Sequence, residues 1–103
     1  MAQKYQSFKE FYPFYLSEHR HPVCRLLHFL GTLNVLALLI FAILTGRWIF
    51  LAALPVLGYG FAWVGHFFFE KNRPATFTYP FYSLAGDWVM FAEILVLRRK
   101  IKE

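Results

Sequence analysis

Leu26 to Thr45 reads LLHFLGTLNVLALLIFAILT, and Ile49 to Phe69 reads IFLAALPVLGYGFAWVGHFFF. Neither run holds a formally charged side chain. Each is about 20 residues, or roughly 30 Å as an α-helix, which matches the hydrocarbon core of a bilayer. Gly46-Arg47-Trp48 between them reads as a tight polar turn. The buried helices of a soluble protein normally keep a polar stripe, and these runs have none. The pair predicts an all-α integral membrane helical bundle with two spanning helices, about 26–45 and 49–69, in a hairpin.

Composition leads to the same conclusion from outside those runs. The chain has 103 residues, 58% hydrophobic and 21% aromatic, with only 17% charged. Such hydrophobicity excludes intrinsic disorder, and the single cysteine, Cys24, excludes a disulfide-stapled miniprotein. The length allows one domain, a single membrane domain over 1–103. Residues 1–25 carry Lys4, Lys9, Glu10, Glu18, Arg20 and Arg25 among aromatics, with no apolar signal-peptide core, so the N-terminus is expected to be retained. Phe81 to Leu97 is apolar but interrupted by Asp87 and Glu93. It is expected as an interfacial or re-entrant helix, with another amphipathic segment at the N-terminus.

Charge predicts the topology. If both ends and residues 70–80 share a side, that side holds Lys4, Lys9, Arg20, Arg25, Lys71, Arg73, Arg98, Arg99, Lys100 and Lys102, against Arg47 on the other. By the positive-inside rule both termini are cytoplasmic, at an inner membrane in a bacterium or the endoplasmic reticulum in a eukaryote. The net charge of +5 then faces anionic headgroups of membrane lipid, and no nucleic-acid motif accompanies it. In the second run Gly58, Ala62 and Gly65 fall at i, i+4 and i+7, a small-residue stripe that could bring the helices close or merely reflect membrane composition. Pro55 is expected to kink that helix. YPFYL at Tyr12 is echoed by YPFYSL at Tyr79, each proline suited to the first turn of a helix.

Against this background the histidines stand out. His28 lies 18 residues before Gly46, and His66 lies 18 after Trp48, so a hairpin sets both at one depth. Polar groups inside a membrane bundle are costly unless they find partners. Glu70, four residues after His66, would share its helix face. His21 could share a face with His28, whereas His19 would have to fold back over the helix start. Imidazole nitrogens and a carboxylate at one depth suit Fe(II), although zinc accepts the same atoms. The plainer alternatives are a His28–His66 hydrogen bond, Glu70 paired with Lys71, Arg73 or Arg25, and a surface His21. Asp87 could orient a histidine from behind or cap a helix, and Cys24 is expected to pack.

The segments YPFYLSEHRHPVCRLLHFLGT and GYGFAWVGHFFFEKNRPATF, followed by Gly86-Asp87-Trp88, resemble the small membrane-protein family that includes the yeast-type 2-hydroxy fatty acid dioxygenase of phytosphingosine breakdown. The motifs that carry the resemblance are YL-x-x-H-x-x-P-x-x-R-x-x-H-x-x-G and G-H-x-x-F-E-x-x-x-P-A. Cys24 departs from the Asn expected in many relatives. The resemblance implies an Fe(II)-dependent dioxygenase that cleaves a 2-hydroxy fatty acid to a fatty acid one carbon shorter, by α-oxidation with dioxygen. It maps the family histidines onto His19, His28 and His66, with Glu70 as ligand or as support behind them. Arg25 or Arg73 would steer the substrate carboxylate, and Asp87 and His21 would stand behind the ligands. Two other classes stay open: a noncatalytic lipid-binding or scaffold protein, and a haem or zinc membrane protein. A homo-oligomer is left open.

Overall fold

The computed structural model describes residues 4–102, and every regular element among them is helical. Helix α1 spans Phe8–Ser17, α2 spans Pro22–Thr45, α3 spans Leu54–Val64 and α4 spans Pro80–Leu95. A 3-10 stretch, Trp48–Ala53, leads into α3, which continues as a π-helical turn, Gly65–Glu70. A short 3-10 turn, Ala75–Phe77, precedes α4.

Local chemistry sets these boundaries. Ser7 caps α1, its hydroxyl accepting from the Glu10 N–H at 3.2 Å, while the Glu10 carboxylate accepts from the Gln6 N–H. This reciprocal arrangement starts the helix several residues before Pro13, which therefore lies inside α1 rather than in its first turn. Pro80 does occupy the first turn of α4. His21 caps α2 by accepting from the Val23 N–H at 3.1 Å, with Pro22 opening the helix. Gly46 ends it at φ +69, the left-handed conformation that glycine adopts without a steric penalty. Pro55 sits in the first turn of α3, where the 3-10 stretch becomes α-helix, so it starts a helix instead of kinking one.

The two segments expected to span are continuous helical stretches, Pro22–Thr45 and Trp48–Glu70, long and apolar enough to cross a membrane. Their apolar faces are not consumed by the fold. In the second stretch only 6% of the most apolar window is buried, whereas a soluble core helix would bury most of it. Leu44, Ile49, Val56 and Phe68 are among the exposed side chains, an apolar surface that water would not tolerate. Packing concentrates instead at the opposite end, where α1 lies against α4. Phe11, Tyr15, Tyr79, Met90 and Ile94 form the core there, with Phe11 and Tyr79 rings 5.1 Å apart.

Three glycines permit close approaches, the first being Gly31 of α2, where a Cβ would stand 2.8 Å from the Phe61 Cβ. A Cβ on Gly65 would stand 2.9 Å from Cys24 Sγ and 3.1 Å from its Cα, so α2 enters the bundle against the π-turn. Gly58 is less constrained, its Cβ meeting Val35 at an ordinary 3.5 Å. The predicted stripe thus faces α2, but only its last member must be glycine. A Cβ on Gly86 would stand 2.8 Å from the Tyr15 ring, which seats α1 on α4. Helix α4 also stacks Phe91 on Phe29 of α2 at 5.0 Å. Its 16 residues span roughly 24 Å, less than a hydrocarbon core.

The three segments assigned to one side by charge do lie at one end of the bundle. The Lys4 N–H donates to the Tyr79 hydroxyl at 2.8 Å, and Arg25 donates to the Lys100 carbonyl at 2.9 Å. Glu93 receives Arg99 at 2.8 Å and the Tyr12 hydroxyl, closing the C-terminal segment onto α1.

Candidate metal centre

Three histidines meet at that packed end, each from a different element. His28 is on α2, His66 is the second residue of the π-turn, and His19 lies in the link between α1 and α2. The matched depth of His28 and His66 is realised, their rings standing 4.9 Å apart. His19 does fold back over the start of α2, where Arg25 Nε donates to its carbonyl oxygen at 2.5 Å. Its Nε2 is 3.1 Å from His28 Nε2 and 2.9 Å from His66 Nε2. All three side chains are buried, with no more than 5% of any of these residues exposed. Among the described residues they form one group able to hold a metal ion.

The outer nitrogens determine what the inner ones present. His19 Nδ1 is 2.6 Å from the Tyr15 carbonyl oxygen, and His28 Nδ1 is 2.9 Å from that of Cys24. A carbonyl only accepts, so both Nδ1 atoms carry the proton. His66 Nδ1 is 2.7 Å from Asn72 Oδ1. The amide orientation is set from its other side, because Asn72 Nδ2 donates to the Glu18 carbonyl at 3.1 Å. His66 is therefore also protonated on Nδ1. Three Nε2 lone pairs then converge with no proton to share between them, an arrangement that repels itself unless a cation lies at its focus. Burial and the neighbouring His28 and His66 hold the His19 imidazole well below its usual pKa, which keeps it neutral and able to ligate.

The donors fit a metal. Bonds of about 2.1 Å at right angles place ligand atoms about 3.0 Å apart, while tetrahedral angles place them about 3.4 Å apart. The two separations that His19 Nε2 makes, 3.1 and 2.9 Å, lie nearer the former. A cavity of about 20 Å³ beside the nitrogens is also lined by Tyr15, Tyr59, Trp63, Ser83 and Asp87. That is room for an ion or a single water.

Support behind the nitrogens comes from α1 and α4. The Tyr15 ring stacks on His19 at 4.0 Å, and its hydroxyl donates to Asp87 Oδ1. Burial pushes the Asp87 carboxyl up to about 7, against the lowering pull of that hydroxyl. Asp87 thus reaches His19 through Tyr15.

The remaining sequence candidates are distributed differently. Glu70 lies outside the three-nitrogen group, and its carboxylate accepts from the His21 backbone N–H. Glu70 is the last residue of the π-turn, which Lys71 ends at φ +60, and the link before α2 brings the His21 N–H to its carboxylate in place of the histidine cluster. His21 uses its ring to cap α2 and to pack beside Phe69. Arg25 is buried and bound to the His19 and Lys100 carbonyls. Arg73 is exposed, lying over the Phe77 ring. None of these four lines the cavity at the histidines.

Tyr15, Asn72 and Ser83 were not singled out in the sequence. The available signal for Asn72 is its place just after Lys71, where a left-handed residue turns the chain back onto His66. Asn72→Leu is expected to weaken metal binding about 10- to 100-fold, the usual cost of removing a partner behind a ligand. Competition against a chelator of known affinity measures it, and unchanged affinity would discount the Asn72 contact.

A family model described as 2-hydroxy-palmitic acid dioxygenase Mpo1-like matches the chain over residues 5–99. No curated protein and no solved structure matches it.

Proposed function

We propose that this chain, which belongs to the 2-hydroxy-palmitic acid dioxygenase Mpo1-like family, is an integral membrane Fe(II)-dependent dioxygenase. It converts a 2-hydroxy fatty acid to a fatty acid one carbon shorter. The observation that carries the reading is the convergence of three buried, deprotonated Nε2 atoms from His19, His28 and His66. A three-histidine set holds a metal while leaving positions free for substrate and dioxygen. Ferrous iron there supplies reactivity toward dioxygen that side chains of this composition lack.

The overall change balances without a further reductant. One 2-hydroxy acid and one dioxygen give the shortened acid, carbon dioxide and water, the substrate yielding the four electrons that dioxygen accepts. The chain's own residues supply position. Tyr15 and Asp87 hold the plane of His19, Asn72 holds His66, and the Cys24 carbonyl holds His28. Glu70 braces the link that carries His19 by binding the His21 backbone. Arg25 acts through the His19 carbonyl rather than on substrate. Arg73, next to the Pro74–Thr76 wall of the cavity, draws the substrate carboxylate toward the mouth.

Membrane insertion is supported by the unburied apolar faces of the two long helices. With the packed, basic end in the cytoplasm, the histidines sit near that interface and the Arg47 turn lies on the far side.

Protein purified in detergent is expected to retain iron and, under air, to convert a long-chain 2-hydroxy acid to the acid one carbon shorter. No product should form without oxygen. Zinc in place of iron, or iron-loaded protein with no product under air, would overturn the reading.

A further inference from the structure

The cavity at the histidines contains a hydroxyl with nothing to bond to. Ser83 is 4% exposed, and its Oγ is buried without a hydrogen-bond partner. Buried polar atoms are nearly always paired. A helical serine can usually fall back on the carbonyl four residues earlier, as the Thr45 hydroxyl does on Phe41 at 2.7 Å, but the Ser83 hydroxyl makes no such bond. Ser83 and Asp87 are four residues apart, on one face of α4, and both line the cavity with His19, His28 and His66.

From that cavity a groove runs down the bundle between α4 and α3. A space of about 60 Å³ shares His28, Ala62 and Asp87 with it and adds Thr32, Gly58 and Trp88. A larger space of about 230 Å³ follows, again bordered by Asp87 and otherwise walled by Val35, Leu54, Pro55, Gly58, Tyr59 and Leu84. His19, His66 and Ser83 border only the inner end, Asp87 borders all three spaces, and the outer space is otherwise aliphatic and aromatic. Pro55 and Gly65 are separated by about 15 Å of helix axis. Pro55, Tyr59 and Leu84 are exposed at the outer rim, where the helices present their unburied apolar faces.

We propose that this groove is the substrate channel, with Ser83 as the positioning residue at its polar end. The Ser83 hydroxyl donates to the carboxylate of a 2-hydroxy fatty acid. The alkyl chain descends past Leu84 and Gly58 toward Pro55, reached sideways from the lipid. This rests on the dioxygenase reading for the identity of the head group, whereas the path of the chain follows from the cavity alone.

The test uses the full chain in lipid nanodiscs, with and without iron, and a 2-hydroxy fatty acid carrying a photoactivatable group midway along its alkyl chain. Labelling is expected on residues 54–59 and 84–88. Ser83→Ala should weaken labelling and raise KM about tenfold, without loss of iron or of thermal stability, because the missing hydroxyl had no partner. Ser83→Thr, which keeps the hydroxyl, should restore both. Leu84→Trp should shift labelling and turnover toward shorter chains about tenfold, with iron content unchanged. Label spread over outward residues such as Leu44 and Phe68 would overturn the channel, and wild-type affinity in Ser83→Ala would overturn the serine's role. Groove labelling that depends on Ser83, in iron-loaded protein that turns over no 2-hydroxy acid, would sink the dioxygenase reading and leave the channel standing.

Discussion

His66→Ala is expected to abolish both metal retention and product formation in protein that still folds. His66 is one of three donors, and its Nε2 lies 2.9 Å from that of His19. Removing it leaves a two-nitrogen site, which should cost more than the roughly 10- to 100-fold attached to a supporting hydrogen bond. Asn72→Leu is therefore the internal scale: the alanine variant must fall well below it. Folding should survive, because the substitution removes a polar ring rather than an element of the aromatic core at Phe11, Tyr79 and Met90. It also relieves the crowding of unshared lone pairs in metal-free protein. Metal analysis of the purified variant, with melting followed by circular dichroism, separates the two effects. Iron at wild-type stoichiometry in folded His66→Ala would refute the three-histidine centre.

Gly86→Val carries the largest expected structural effect. A Cβ at this position would stand 2.8–3.1 Å from three atoms of the Tyr15 ring, closer than packed carbons tolerate. Tyr15 cannot yield easily: it is 1% exposed, stacked on His19 at 4.0 Å and tied to Asp87. Overpacking of this kind typically costs about 1–3 kcal/mol. Any protein that still folds should do so with Tyr15 displaced, and it should bind metal more weakly for that reason. Gly60→Val is the control, since nothing lies within 4 Å of a Cβ there. Both variants replace a helical glycine, so their difference in melting temperature isolates the contact. Equal melting temperatures and equal metal affinity would show that the α1–α4 seam does not depend on Gly86.

How much of the centre was legible depends on the kind of information each residue carries. His28 and His66 were readable as partners because a helix has a fixed rise, so equal counts from a turn mean equal depth. The fold-back of His19 was named only as a requirement of ligation. Its cause, the buried Arg25 six residues further along, is a contact with a backbone carbonyl. Helix periodicity sets Glu70 one turn after His66, but its carboxylate is taken by the His21 backbone N–H, a donor that side-chain spacing does not reveal. Proline favours a helix start, which suits Pro13 to one, yet the Ser7 and Glu10 cap begins α1 earlier.

By itself the sequence determined the helical class, the two long apolar stretches, the polar turn between them and the common depth of two histidines. Those properties follow from hydropathy and helix geometry, which are written residue by residue along the chain. Tertiary structure alone decided which nitrogen of each histidine faces inward, which carboxylate stays outside, and that Ser83 is left without a partner. Each of those outcomes depends on backbone carbonyls and on neighbours distant in the chain, and a carbonyl has no letter in the sequence.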